Sequence, residues 1–145
     1  MKGRVLAILA AGAALVGAAP IDQKQPLSMA MEGLRSARGR VLVCVTRDPA
    51  HFPDCSGDPD KRHFTVAATG AAVPLGLLAP GDYAIALIHD ENGNGKLDTF
   101  AGIPREGVGF SRNPVLRFGA PSFRSARFSV AGSAVEQDIR LKYFL

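Results

Sequence analysis

The feature that most constrains this chain is its alternation. From residue 27 onward, apolar and polar side chains take turns in short runs cut by Pro, Gly, Asp and Asn, and no helical period of useful length appears. Arg40–Arg47 puts Val41, Val43 and Val45 on one face, and His63–Thr69 sets Phe64, Val66 and Ala68 against Thr65 and Thr69. Asp82–His89 sends Tyr83, Ile85 and Leu87 one way and Ala84, Ala86 and Ile88 the other. Leu27–Leu34, Val73–Leu78, Val115–Phe118, Ala126–Val130 and Val135–Phe144 complete the set, with room for a helical turn near Pro59–Lys61. A period of two means a strand with one face packed and the other wet. Seven to eight such strands joined by turn residues predict an all-β, antiparallel sandwich. Two long connections stand out, Arg47–Arg62 and Thr99–Pro114, and long loops of this kind are often functional.

The first eighteen residues read differently. Lys2 and Arg4 precede an apolar stretch, Val5–Val16, and Gly17-Ala18-Ala19 follow. A basic start, an apolar segment and a small-residue end describe a cleavable signal peptide, residues 1–18, ahead of a single domain, 19–145. The apolar stretch is shorter than the ~20 residues of a membrane helix, so no transmembrane span is expected in the mature protein. Losing Lys2 and Arg4 lowers the formal charge from +4 to +2. A field that weak gives no support for nucleic-acid binding. The expected location is periplasmic or secreted. There, Cys44 and Cys55 read as a disulfide that closes the loop carrying His51 to Asp54. The alternative, a metal or redox pair, lacks a CxxC spacing or a third ligand.

The segment with chemical content is Asp90-Glu91-Asn92-Gly93-Asn94-Gly95-Lys96-Leu97-Asp98. Its first six positions match D-x-[DN]-x-[DN]-G, which places an oxygen-bearing side chain at every second residue, with a glycine for the sharp turn. In this pattern Asp90, Asn92 and Asn94 supply side-chain oxygens to Ca2+, Lys96 its backbone carbonyl, and Asp98 a ninth-position ligand. Leu97 would anchor the loop to the core. The twelfth position, a bidentate Glu in an EF-hand, is Ala101 here. Glu91 and Glu106 are the acids that could make up the deficit. With so few charges the expected Kd is weak, ~10⁻⁴–10⁻³ M. The strands expected on both flanks exclude an EF-hand. A metal-free hairpin is the competing reading, because Asn-Gly pairs make tight turns unaided.

Two motifs together point to a family. Gly81-Asp82-Tyr83-Ala84-Ile85-Ala86 runs on through His89 to Asp98, and Gly102-Ile103-Pro104-Arg105-Glu106-Gly107-Val108-Gly109-Phe110-Ser111 follows. This closely resembles the bacterial family called domain of unknown function 2141. The resemblance covers about Leu27 to Leu141 and is sharp from Leu75 to Asn113. It implies a small exported β-sandwich bearing the acidic loop, and no established activity. The Cys44–Cys55 loop is not carried over from it. Leu78-Ala79-Pro80-Gly81-Asp82-Tyr83 also resembles the start of a strand in immunoglobulin-like and transthyretin-like sandwiches, where a Tyr hydroxyl ties a corner.

In the second motif, glycines surround Arg105, Glu106, Phe110 and Ser111. One reading is a folded-back loop with Phe110 capping the core and Arg105 paired to Glu106 or Asp98. The other is a ligand-facing loop beside the acidic one. A search for catalytic signatures finds no H-E-x-x-H, G-x-S-x-G or P-loop, and His51, His63 and His89 fall in separate segments. The chain therefore reads as a non-enzymatic binding or interaction module of the envelope, with a metal-free structural or accessory domain and an unrecognised hydrolase as the alternatives. Arg112, Arg117, Arg124 and Arg127 make the C-terminal third locally basic. They form either a solvated face or a patch for an envelope partner, whether protein, anionic polymer or lipid headgroup. The oligomeric state is not legible at this level.

Overall fold

The computed structural model describes residues 23–145 and the isolated positions 12 and 17. The expected signal peptide lies outside the described residues. Ten strands form: β1 Gln25–Glu32, β2 Arg40–Thr46, β3 Arg62–Ala67, β4 Val73–Leu78, β5 Gly81–Asp90, β6 Thr99–Phe100, β7 Ile103–Pro104, β8 Gly107–Phe110, β9 Phe128–Val130 and β10 Val135–Arg140. Among the described residues, a 3-10 turn at Pro49–His51 and a single helical turn at Phe123–Ala126 are the helical pieces. Eight strands make the sandwich, as the alternation predicts. One sheet runs β10-β1-β4, the other runs β3-β2-β5-β8 with β9 also on β5, and β6-β7 form a separate small ladder. Among the described residues no helix is long and apolar enough to cross a membrane.

The core lies between the sheets. Leu27, Met29 and Met31 of β1, with Leu75, Leu78 and Ile139, meet Val41, Val43 and Val45 of β2 and Tyr83, Ile85 and Leu87 of β5. These inward residues are the alternating sets named above. The Tyr83 hydroxyl donates to the Ala79 carbonyl at 2.9 Å, which ties the corner before β5.

Strand β5 is buried on both faces. Its outward Ala84 and Ala86 sit in a second cluster with Cys44, Cys55, Val108, Phe110 and Ala126. Cys44 and Cys55 are joined in a disulfide, with Cα atoms 5.9 Å apart. That bond fastens the loop after β2 onto the outer face of the larger sheet.

Four expectations are corrected. Val115–Phe118 is not a strand. Pro114 and Gly119 flank it, and the free edge of β5 is already shared by β9 at residues 81–83 and β8 at 86–89. Gly107–Phe110, expected within a loop, is β8. Its alternation is hidden because the inward residues are glycines. A Cβ on Gly107 would lie 2.5 Å from Cε1 of Tyr143, and one on Gly109 would lie 2.9 Å from Cγ2 of Ile139. The sandwich is not wholly antiparallel, since β1 and β10 pair in parallel from Leu27–Val135 to Glu32–Arg140. Pro59–Lys61 holds a plain turn, and the helical turn sits at Pro49–His51, where the Asp48 carboxylate accepts from the Ala50 amide at 2.9 Å.

The sandwich closes along one side. The Val108 amide donates to the Lys142 carbonyl at 3.0 Å, and the Lys142 amide returns a bond of 2.8 Å. The carboxamide of Asn113 bonds the backbone of β10 twice, at Asp138 and Arg140, both at 2.8 Å.

Candidate functional site

The acidic loop leaves the C-terminal end of β5. Asp90, the last residue of that strand, is fully buried and points outward from the sheet, opposite to His89. A buried carboxylate needs donors, and the loop supplies them. Oδ1 of Asp90 accepts from the Asn94 amide at 3.1 Å, and Oδ2 accepts from the Gly95 amide at 2.9 Å. Gly95 turns the chain with φ +79°. Oδ1 of Asn92 accepts from the Asn94 amide and Oδ1 of Asn94 from the Lys96 amide, each at 3.1 Å.

The far end of the loop folds back onto this ring. The carboxamide of Asn92 donates to Asp98 at 2.6 Å, and that of Asn94 donates to both Asp98 oxygens at 2.8 and 3.0 Å. The Asn92 amide first, and then Asn94, hold the Asp98 carboxyl below its ordinary value. Asp90, Asn92, Asn94 and Asp98 thus converge. The side chain of Lys96 is exposed.

The two additional acids do other work. Glu91 turns away from the loop, so it is corrected as a ligand. Its carboxylate binds the Arg35 guanidinium, with Nε at 3.0 Å and an Nη2 contact at 2.5 Å, and accepts from the Ser36 hydroxyl at 2.8 Å. Arg35, aided by Ser36, lowers the Glu91 pKa to about 2. Glu106 is buried and spans the neck of the loop. One oxygen accepts from the Glu91 amide and the other from the Asp98 amide, both at 3.1 Å. Both oxygens face amides at the base of the loop, and each keeps a further lone pair. Arg105 is exposed, and among the described residues it has no carboxylate within 4.0 Å. The expected pairing with Glu106 or Asp98 is therefore corrected. Its amide bonds the Asp98 carbonyl at 2.9 Å instead.

A family model described as "Uncharacterized protein conserved in bacteria (DUF2141)" matches residues 29–138. That span takes in the acidic loop, the β8 glycines and Asn113. The chain belongs to the DUF2141 family. No curated protein and no solved structure matches it.

Two further residues of the second DUF2141 motif have clear structural roles. Ser111 is fully buried where β9 hands over to β8 along β5. Its hydroxyl accepts from the Ile85 amide at 2.9 Å and donates to the Ala126 carbonyl at 2.5 Å, standing in for a missing ladder partner. Both roles of this hydroxyl are thus taken by backbone groups. Phe110 packs edge-on to Phe52 with ring centroids 6.0 Å apart. Its ring therefore covers the outer face of the sheet, not the core between the sheets.

Sequence reasoning missed the hub beside the loop. Arg35 lies over the Tyr143 ring at 4.4 Å and donates to the carbonyls of Leu145 (2.9 Å) and Arg105 (3.0 Å). The Tyr143 hydroxyl meets Nδ1 of His89 at 2.7 Å, and Nε2 of His89 meets the Arg38 carbonyl at 2.8 Å. His89 is sealed from solvent. The inward register of Tyr143 after Ile139 and Leu141 was the available signal. Arg35 carried none, because its partners lie 56 to 110 residues away.

Among the described residues, one grouping of ligand-type atoms forms elsewhere, at Cys44, Cys55 and His63. Both sulfurs are consumed by the disulfide.

Proposed function

We propose that this chain is an exported, periplasmic or secreted, non-catalytic binding module of the cell envelope, and that its acidic loop is a weak Ca2+ site. The observation that carries the calcium reading is the convergence of Asp90, Asn92, Asn94 and Asp98 around one turn. The donor set fits a hard cation, which takes oxygens from carboxylates and carboxamides. Each Asn oxygen accepts one amide and each Asp90 oxygen accepts one amide, so lone pairs remain on all four. With Glu91 held by Arg35, the carboxylates on the turn itself are Asp90 and Asp98, and Glu106 stands at its neck as the further acid. Two carboxylates support only weak affinity. Bound Ca2+ would supply charge neutralisation and stiffness to the loop.

A leader-like N-terminus and a disulfide support export. The non-catalytic reading is supported by how the candidate groups are engaged. His89 is sealed beneath Tyr143, and the Ser111 hydroxyl is spent on backbone. Nδ1 of His51 is bonded to the Ser56 carbonyl at 2.6 Å.

A second reading has its own observation. The Asn carboxamides already neutralise Asp98 in part, so the loop closes without an ion. Thermal melting in calcium against EDTA separates the two. Calcium at about 100-fold excess over Kd adds about 2.7 kcal/mol to stability, with a matching rise in Tm. Asp98→Ala abolishes that rise and leaves the EDTA melting temperature near the wild-type value. A wild-type curve indifferent to calcium would leave the metal-free reading standing.

A further inference from the structure

The outer face of the larger sheet is only partly covered. The disulfide loop shields one portion. Beside it lies a cleft of about 1090 Å³, floored by β2, β3, β5 and β8 and walled by residues 95–104, residues 116–120 and the C-terminal Phe144. Its floor is apolar, with Leu42, Ala86, Ile88, Val108 and Phe110 prominent. Three apolar side chains of its walls stand in solvent: Phe118 is fully exposed, and Ile103 and Phe144 are each 44% exposed. Exposed apolar surface continuous with a concave apolar floor marks a binding site rather than ordinary surface.

We propose that this cleft binds a medium- to long-chain fatty acid, with the acyl chain on the sheet and the carboxylate at the rim. The inference rests on the reading of the domain as a binding module; the acidic loop supplies part of one wall through Lys96, but the cleft does not require that loop to hold an ion. Volume, backbone and charge support it. The cleft is at or above the ~300–1,000 Å³ usual for small-ligand sites, which leaves room for an extended acyl chain. The central floor strands β2 and β5 spend their amides and carbonyls in the ladders β2·β3, β2·β5 and β5·β8, and the open edge of β3 lies in the plane of the sheet rather than on the floor. A peptide lying there would bury its own backbone groups without partners, whereas an acyl chain has none to satisfy. Four lining side chains are ionisable: Asp54, His63, Lys96 and Arg117. Asp54 already accepts from the Ser56 amide at 2.8 Å. Lys96 and Arg117 come from two separate wall segments, are exposed, and among the described residues have no carboxylate within 4.0 Å, although Lys96 lies near enough to Asp98 to help lower its pKa. Two unpaired cations at the mouth of an apolar trough select an anionic head.

The test is calorimetric titration of the purified protein with laurate and, separately, with uncharged dodecanol. EDTA is present throughout, so calcium occupancy cannot enter the result. Wild type should bind laurate one to one and at least about tenfold more tightly than dodecanol, the factor expected when a charge-assisted hydrogen bond is gained. Lys96→Glu combined with Arg117→Glu should remove that preference and leave dodecanol binding unchanged. Thr65→Trp, at an exposed floor position on β3, should fill the trough and abolish binding of both ligands. Circular dichroism and melting curves of each variant report whether the sandwich is intact. Absence of laurate binding by wild type overturns the proposal. So does equal affinity for acid and alcohol that the charge reversal leaves untouched. A concentration-dependent dimer that dissociates in Phe118→Glu and ignores laurate overturns it too, and would assign the cleft to a second copy of this chain.

Discussion

The loop at residues 47–61 and the loop at residues 90–98 both leave the larger sheet, and both are rich in turn residues, yet they are fixed by different forces. The first is held by covalent bonding and packing. Cys55 is fully buried, and Phe52 lies edge-on between Phe110 and Phe123, each at 6.0 Å. Its buried acid, Asp58, accepts from the Thr46 hydroxyl and is held below its ordinary pKa chiefly by that bond. The second loop has one partly buried apolar side chain, Leu97, and is otherwise shaped by carboxylates and carboxamides. Packing depends little on solution conditions, whereas charge responds to protons and cations. The acidic loop is therefore the part of this molecule that solvent composition can address.

The largest effect should come from breaking the covalent side of the contrast. Cys44→Ser with Cys55→Ser should cost about 3 kcal/mol in denaturant unfolding, the value expected from chain entropy for a loop of this length. It should leave any calcium response of the other loop unchanged. Loss of that response as well would show that the two loops are coupled through the sheet. Asp90→Ala comes next. It removes the buried acceptor of two loop amides, and about 1.5–3 kcal/mol of stability should go with it even in EDTA. A neutral outcome would mean that the Asp90 contacts do not organise the loop.

Glu91→Gln tests the electrostatic side through pH. The Glu91 pKa falls from the ordinary 4.5 to about 2 on folding, with Arg35 as the main cause. A depressed carboxyl adds stability that is complete above the unfolded value and is lost as pH falls through the folded one. The wild-type minus Glu91→Gln difference in Tm should be constant near neutrality and shrink between pH 4.5 and about 2. A difference that holds constant through that window would remove the Arg35–Glu91 pair from the account. The smallest effect is expected at Asp98→Ala in EDTA. This carboxylate is reached by water, and its partners are side-chain amides that water can replace. Its value to the loop should appear only when calcium is present.

Much of the site was readable because turn and ligand chemistry are local. The convergence of Asp90, Asn92 and Asn94 follows from spacing along a single turn, and Gly95 occupies its expected left-handed position. The roles of Glu91 and Glu106 were not readable. Glu91 was diverted by Arg35, from a connection 56 residues earlier in the chain. Glu106 was drawn to amides at both ends of the loop, a geometry set only when β8 pairs with β5. The β8 glycines also misled the reading. Their sequence suggests a flexible loop, while their function is to admit Ile139 and Tyr143 against a strand.

By itself the sequence determined the all-β class, the inward faces of β2, β5 and β10, the cysteine pair and the turn at Asp90–Asp98. Each of these depends on residues within a few positions of one another or on alternation along one strand. Tertiary structure alone decided the parallel pairing of β1 with β10, the division of one β5 edge between β8 and β9, and the choice of which acids face the loop. The physical reason is that a strand's pattern specifies which face is buried but not which edge it joins. Edges are chosen by backbone hydrogen bonds and close packing between segments far apart in the chain.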